Sequence, residues 1–335
     1  MLSRVANSLY WMSRYLERAE NIARIVDVNL QLLLDFRNLD DSTLAGHWVP
    51  IVQSTGDEQA FFNLHRKATG QAVTEFLVFQ TENPNSIVSS VAQGRENARM
   101  VRDQITVELW EELNRLYLFV RSQDAREMWK TSPSQFLQEI RACSLHLQGL
   151  TEATVVHNEG WQFMQVGKYL ERADKTTRMI DVRHESAQPK GETPLASQTD
   201  ALEWSAVLRS CSAWDAYKAL HGAEVSPRLA AEFLIFSEDF PRSVEFCVRA
   251  LDHALRAISG SAPGRFNNQA EKLCGRLLAE LQFSGIEDIF ETGLHQYLDL
   301  VQVKLNAIGD AVFNAYIFQH FESLEGEIQQ QQQQQ

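Results

Sequence analysis

"VANSLYWMSRYLERAENIARIVDVNLQLL", residues 5–33, is the stretch that decides the fold. Val5, Leu9, Met12, Leu16, Ala19, Ala23, Val26, Leu30 and Leu33 recur at alternating steps of four and three. Those steps put every one of them on one face of an α-helix, so the segment predicts a long amphipathic helix packed against other helices. No proline interrupts the chain before Pro50. Glu17, Glu20, Arg24 and Asp27 keep the same rhythm one residue later, about 100° further round the helix. Glu20 and Arg24 stand i,i+4 in the favourable order, and Arg24 and Asp27 stand i,i+3.

Part of this helix returns. "YLERAENIARIVDV" (15–28) aligns without gaps to "YLERADKTTRMIDV" (169–182). Trp48 then matches Trp204, "AFFNLH" (60–65) matches "AYKALH" (216–221), and "EFLVF" (75–79) matches "EFLIF" (232–236). Pro84, Ser86 and Arg99 fall on Pro241, Ser243 and Arg256. Ordered matches with so little drift read as an internal duplication of a helical unit. The unit is too long for a solenoid repeat, so two bundle-like halves are expected, residues 1–150 and 151–328. The glutamine run at 329–335 reads as a disordered, low-complexity tail.

Other segments agree with helices. "SPSQFLQEI" predicts a start with Ser132 as N-cap, Pro133 at the first helical position and Gln135 closing a capping box. "NPNSIVSSVAQ" suggests a similar start at Asn83 and Pro84. Loops are expected at "ESAQPKGETPLASQTD" (185–200) and around "RNLDDSTLAG" (37–46). No alternating strand pattern occurs, and the fold class is all-α, an internally duplicated bundle of long amphipathic helices.

Composition narrows the function. The chain has 335 residues, 44% hydrophobic and 22% charged, which is a globular composition with ample core. A net charge of −13 works against a nucleic-acid partner, because gripping phosphate backbones needs a basic face. Cys143, Cys211, Cys247 and Cys274 are scattered, without the spacing of a metal knuckle, a redox pair or a disulfide framework. No apolar run approaches the roughly 18 residues of a membrane span, and charges interrupt the N-terminus; a cytoplasmic protein without membrane partners is expected.

Two polar stripes carry the candidate chemistry. The first is Glu17, Glu20, Arg24 and Asp27, rebuilt in the second copy as Glu171, Asp174, Arg178 and Asp181. It reads either as a salt-bridged flank that sets helix packing or as a pair of clefts lined by carboxylates and arginine. The second is Arg95, Arg99 and Arg102, like charges at i, i+4 and i+7 that repel unless something negative faces them. The other half has Asp252, Arg256 and Ser259 there, so the fold does not require the triple arginine. Two explanations stand: pairing with Glu17, Glu20 and Asp27, or an anion site suited to arginine's planar fork. Just beyond, Glu108, Glu111 and Asn114 recur beside Trp110, as a polar site or a solvated helix flank.

Phosphate-loop and dinucleotide fingerprints, zinc-protease and di-iron bundle motifs, and a nucleophile context for Ser or Cys are all missing from the sequence. Neither a cofactor nor a metal is expected. Glu291 with His295 is one isolated pair, and His65 and His221, equivalent in the repeat, read as packing residues.

"SLYWMSRYLERAENIARIVDV" (8–28), "RENARMVRDQITVELWEELN" (95–114) and "NEGWQFMQVGKYLERADKTTRMIDV" (158–182) together resemble the alpha-E domain family, over nearly the whole chain. That family is bacterial and helical, and its members sit beside a circularly permuted ATP-grasp protein and a transglutaminase-like cysteine peptidase. The resemblance therefore implies a part in a system that forms and cleaves peptide or amide bonds. Matching its charged motifs are Glu17, Arg18, Arg24, Arg95, Glu96, Arg99, Arg102, Glu108, Asn114, Glu171, Arg172 and Arg178; Lys168 stands where arginine is common. Two functions are consistent with this. One is a non-enzymatic partner of the ATP-grasp amide ligase and the peptidase, binding the ligase or its peptide substrate through charged grooves. The alternative is an enzyme of the same system, with Glu17 or Glu108 as acid/base and Arg95, Arg99 and Arg102 clamping an anion.

Overall fold

The apolar stripe of residues 5–33 folds as one helix, α1 (Ser3–Asp35), roughly 50 Å long at 1.5 Å per residue. The computed structural model describes residues 1–35, 41–186, 194–222 and 224–318, with side chains for 1–32, 48–181, 201–222 and 224–317. The side chain of Leu33 and the glutamine run lie outside the described residues. After α1 come α2 (Asp41–Thr55), α3 (Glu58–Leu64), α4 (Gly70–Val78), α5 (Ile87–Met100), α6 (Val107–Val120), α7 (Gln123–Thr131) and α8 (Pro133–Thr154). A second long helix, α9 (Glu159–Ser186), opens the next series of α10 (Pro194–Ser210), α11 (Trp214–His221), α12 (Pro227–Phe236), α13 (Val244–Ser259), α14 (Gln269–Phe283), α15 (Ile286–Thr292) and α16 (Leu294–Phe313). A π-helical turn, Asn314–Phe318, follows. There is no strand among the described residues, and the fold is all-α.

Helices α1 and α9 form the axis of the bundle. Helix α1 packs along α9, α5 and α8, while α9 packs along α1, α13 and α16. The shorter helices cross over: α2, which follows α1, packs on α9, and α10, which follows α9, packs on α1. The Met1 ammonium meets Glu159, Tyr10 lies against Gly167, and Glu17 meets Arg172, so contacts climb both helices together and the pair runs parallel. Their backbones touch at Gly167, where a Cβ would overlap the Tyr10 carbonyl oxygen. Only glycine permits that approach.

Buried side chains from residues 6 to 312 join one contiguous apolar core. The two "LH" histidines lie against aromatic members of it, His221 from the exposed side. His65 stacks on Phe61 at 4.9 Å with Phe76 edge-on, and His221 lies over Tyr217 at 4.8 Å with Phe233 edge-on. All four cysteines are buried and free.

Helix starts differ in detail from expectation. Ser132 precedes α8 with Pro133 at its first position, but its φ of −150° and ψ of 79° turn the hydroxyl from the helix, and the capping box with Gln135 does not form. Helix α5 is capped by Ser86, not Asn83, through a 3.2 Å bond from the Ser89 amide. Asn83 instead closes an Asx turn, accepting from the Asn85 amide, and donates to the Phe76 carbonyl. Ser243 caps α13 as Ser86 caps α5. Both expected loops are shorter than their composition suggested. Helix α10 begins inside the second at Pro194, whose fixed φ suits a first helical turn, and α2 begins inside the first at Asp41. The duplication itself rests on the sequence alignment.

Candidate functional site

The first polar stripe is buried rather than flanking. Glu17, Glu20, Arg24 and Asp27 are each 6% exposed or less, as are Glu171, Arg172 and Asp174. Parallel packing brings "ER" of α1 against "ER" of α9, and each pair answers the other. Arg172 donates from Nε and Nη2 to the two oxygens of Glu17, both at 2.8 Å. In return Arg18 donates to the two oxygens of Glu171, at 2.7 and 3.0 Å. These are fork-to-fork bonds, the geometry in which a buried guanidinium best repays its lost hydration.

Further charges complete each carboxylate. Arg242, in the turn before α13, reaches Glu17 at 2.9 Å and also holds Glu20. Arg24 donates twice to Glu20, which also accepts from Ser144 and Gln148 of α8. On the other side, Arg14 donates to Glu171 at 2.8 Å, Lys175 stands 4.0 Å from it, and Arg178 bonds Asp174 at 3.0 Å. The aligned positions swap their cations. Arg242 aligns with Asn85, which accepts from Arg18, and Lys175 aligns with Asn21, which accepts from Arg242. Each buried glutamate thus keeps a second cation, drawn from a different element.

This crowding fixes protonation. Burial opposes ionising Glu17, but Arg172 and Arg242 outweigh it and hold its carboxyl at about 2. Burial likewise opposes the Glu171 charge, and Arg18 and Arg14 drive its pKa lower still. Neither carboxyl carries a proton near neutrality. Lys168 differs: burial and then the Arg172 charge push its ammonium down to about 8, with Glu17 pulling the other way. Its ammonium lies over the face of the Tyr169 ring, 4.4 Å from the centroid.

The stripe's outer members turn away. Asp27 pairs with Arg141 at 2.8 Å and accepts from Ser134, and Asp181 accepts from His295 at 2.6 Å. So Asp27 does not pair with Arg24, nor does His295 pair with Glu291.

The triple arginine lies elsewhere. None of Arg95, Arg99 and Arg102 meets Glu17, Glu20 or Asp27, whose places are filled by Arg24, Arg141, Arg172 and Arg242. Arg95 donates to Asn114 of α6 at 2.8 Å and lies over the rings of Tyr117 and Trp110, 4.6 and 5.4 Å away. Helix α5 ends at Met100, so Arg102 departs from the helix and settles over Trp110 at 4.7 Å. Glu96 takes one bond each from Arg95 and Arg99. With Arg121 over Tyr117 at 5.3 Å, four arginines and two rings share this face, where Arg99 is 57% exposed. Glu108 and Glu111 are exposed on α6 and make no ion pair among the described residues.

A family model described as "a predicted alpha-helical domain with a conserved ER motif" matches residues 1–317, a span that holds both Glu-Arg pairs of the clasp. The chain belongs to the Alpha-E family. Uncharacterised proteins of Mycobacterium bovis and Mycobacterium tuberculosis are 26% identical to it over 315 residues, covering 86% of this chain and 33% of theirs. This Alpha-E chain thus spans about a third of the length of the curated relatives it matches. No solved structure matches it.

Spacing found Glu17, Glu20, Arg24, Glu171 and Arg178 of the Alpha-E clasp and the family resemblance added Arg18 and Arg172; all seven come together. Arg95, Arg99, Arg102 and Asn114 form the separate surface, and Glu108 and Glu111 join neither. Arg14, Arg141, Ser144, Gln148 and Arg242 went unnoticed. Arg14 was visible as the aligned partner of Lys168; Arg242 carries no local signal, because it sits in a turn and its aligned residue is neutral.

Proposed function

We propose that this Alpha-E chain is a non-enzymatic helical partner in a cytoplasmic system that makes and cleaves peptide or amide bonds. It serves an ATP-grasp amide-ligase-like protein and a transglutaminase-like peptidase. The docking surface is the Arg95–Arg99–Arg102 face, and its occupant is an acidic segment of the ligase. The observation that carries this reading is the face itself, where the guanidiniums of Arg95, Arg102 and Arg121 lie over Trp110 and Tyr117, Arg99 stands exposed beside them, and Glu96 is the only carboxylate paired with the four among the described residues. Arginine and large aromatics at one exposed place are the composition of interface anchors, and their cationic excess suits an acidic partner. The relatives add support, since there an equivalent stretch makes up a third of a longer chain.

The acid/base alternative has less behind it. Glu17 is locked in ion pairs far below neutral pKa, and Glu108 belongs to another surface. The test is capture of the ATP-grasp protein of the same host by the tagged chain, beside an Arg99→Ala, Arg102→Ala variant of unchanged thermal midpoint. Near-stoichiometric capture lost in the variant is the expected result. Capture unaffected by the variant removes the face from the reading, and no capture removes the partnership.

A further inference from the structure

An open cleft of about 510 Å³ lies beside the clasp, between α1, α8, α9 and the turns that follow α10 and precede α13. Four arginines line it: Arg24, Arg141, Arg172 and Arg242. No carboxylate does. Glu17, Glu20 and Asp27, which pair with those arginines, lie behind them, so four guanidiniums face three buried acids and one positive charge is left over. Burial lowers the Arg24 pKa; Glu20 works against that, while the charges of Arg242 and Arg141 add to it. A cleft of this kind gains from receiving an anion.

Donors remain unused. Arg24 spends Nε and Nη2 on Glu20, leaving Nη1 without a hydrogen-bond partner among the described residues. Arg141 spends Nη1 on Asp27, while its Nε is buried and has no hydrogen-bond partner among the described residues. A buried unpartnered guanidinium nitrogen is costly unless a ligand meets it.

The rim carries a second, independent sign. Ser212 lines the cleft and is the one non-glycine at positive φ, +54°, among the described residues. It closes α10 in a Schellman turn, with the Ala213 amide bonded to the Leu208 carbonyl at 2.7 Å. Glycine is the favoured residue at that position, so a serine on the rim of the cleft stands against its backbone preference.

We infer that this cleft binds the C-terminal carboxylate of a peptide. One surplus positive charge matches a monoanion, and the planar forks of Arg24 and Arg141 match a carboxylate. Gln138 offers an amide to the peptide group that follows, and Ala142, Leu145 and Pro241 offer an apolar wall to the last side chain. The inference names a substrate class for the system proposed above, but it stands on a different surface and is read on the chain alone.

The test is calorimetric titration of the full chain at neutral pH and low salt with acetyl-Ala-Ala-Leu bearing a free carboxylate. The same peptide as its amide and inorganic phosphate are titrated beside it. The free acid is expected to bind, and the amide to bind at least about tenfold more weakly. Arg141→Gln, the mildest change because Arg141 is 33% exposed and Asp27 keeps its bond from Ser134, is expected to lose a similar factor. Ser212→Gly is expected to raise the thermal midpoint while weakening the peptide, a pairing that mere damage to the fold does not produce. Equal binding of acid and amide overturns the inference. So does no binding at millimolar peptide, phosphate binding more tightly than the peptide, or full affinity in both variants. A lost partner protein with peptide binding intact condemns only the docking face; the reverse condemns only the cleft.

Discussion

Arg172 grips both oxygens of Glu17 from a helix 155 residues away in sequence, and neither side chain is more than 6% exposed. Removing one member leaves the other charged and buried. Glu17→Gln or Arg172→Met is therefore expected to cost about 3–5 kcal/mol in denaturant unfolding. The double variant Glu17→Met, Arg172→Met should cost distinctly less than the two added together, with a coupling of about 1–3 kcal/mol. Additive losses would show that the pair contributes packing but no mutual interaction.

Acid should undo the clasp in a defined window. The folded pKa of Glu17, about 2, lies below its ordinary 4.5, so its contribution to stability is complete above pH 4.5 and disappears as pH falls through about 2. Glu171 is depressed for the same reason and adds to the same trend. Thermal midpoints between pH 6 and 2 should stay level and then drop below about pH 4.5. A midpoint unchanged to pH 2 contradicts the ion pairs.

The helix crossing offers a paired test. Gly167→Ala places a methyl on the Tyr10 carbonyl and forces α1 from α9, at a cost of about 1–3 kcal/mol or more. Gly149, inside α8, has open space where its Cβ would stand, so Gly149→Ala should stabilise by about 0.5–1 kcal/mol through helix propensity. Opposite signs are expected in the same unfolding assay, and equal effects would mean the close approach is absent.

Lys168 should be the lysine that acylates at the lowest pH. With its ammonium pushed down to about 8, half of it is the reactive free amine near that pH, against an ordinary value of 10.5. Because burial disfavours its charge, folding stability should rise slightly as pH climbs from about 8 towards 10.5. Brief treatment with acetic anhydride across pH 6–10, followed by peptide mass spectrometry, reads the titration directly. Modification of Lys168 in step with exposed lysines would refute the shift.

Helix content was legible because period and caps are local properties. The stripe from Val5 to Leu30 needed nothing beyond its own spacing to announce α1. The same spacing placed Glu17, Glu20, Arg24 and Asp27 beside the apolar seam, yet it could not say that α8, α9 and the turn before α13 cover them, since burial depends on what packs there. Arg95, Arg99 and Arg102 were misread in their alternative pairing for a related reason: helical phase orders residues on one helix but does not say which helix faces it, and α6 brought Trp110, Asn114 and Tyr117. Arg242 and Arg141 reach the clasp from distant elements, and only the packed structure assembles them.

The parallel course of α1 and α9 has a consequence for how the molecule is made. Two parallel helices cannot be joined by a short turn; the chain must travel back along the bundle before α9 begins, and here it does so through α2 to α8. On the ribosome Glu17 therefore emerges long before Arg172, and its ion pair closes only when the second copy of "YLERA" has left the tunnel. Until then α1 waits with its charged face in water and its apolar face covered by neighbours from the first half alone. Contacts this distant in sequence lock the register, so the long axis is completed only once α9 has been made, with α10 to α16 still to follow.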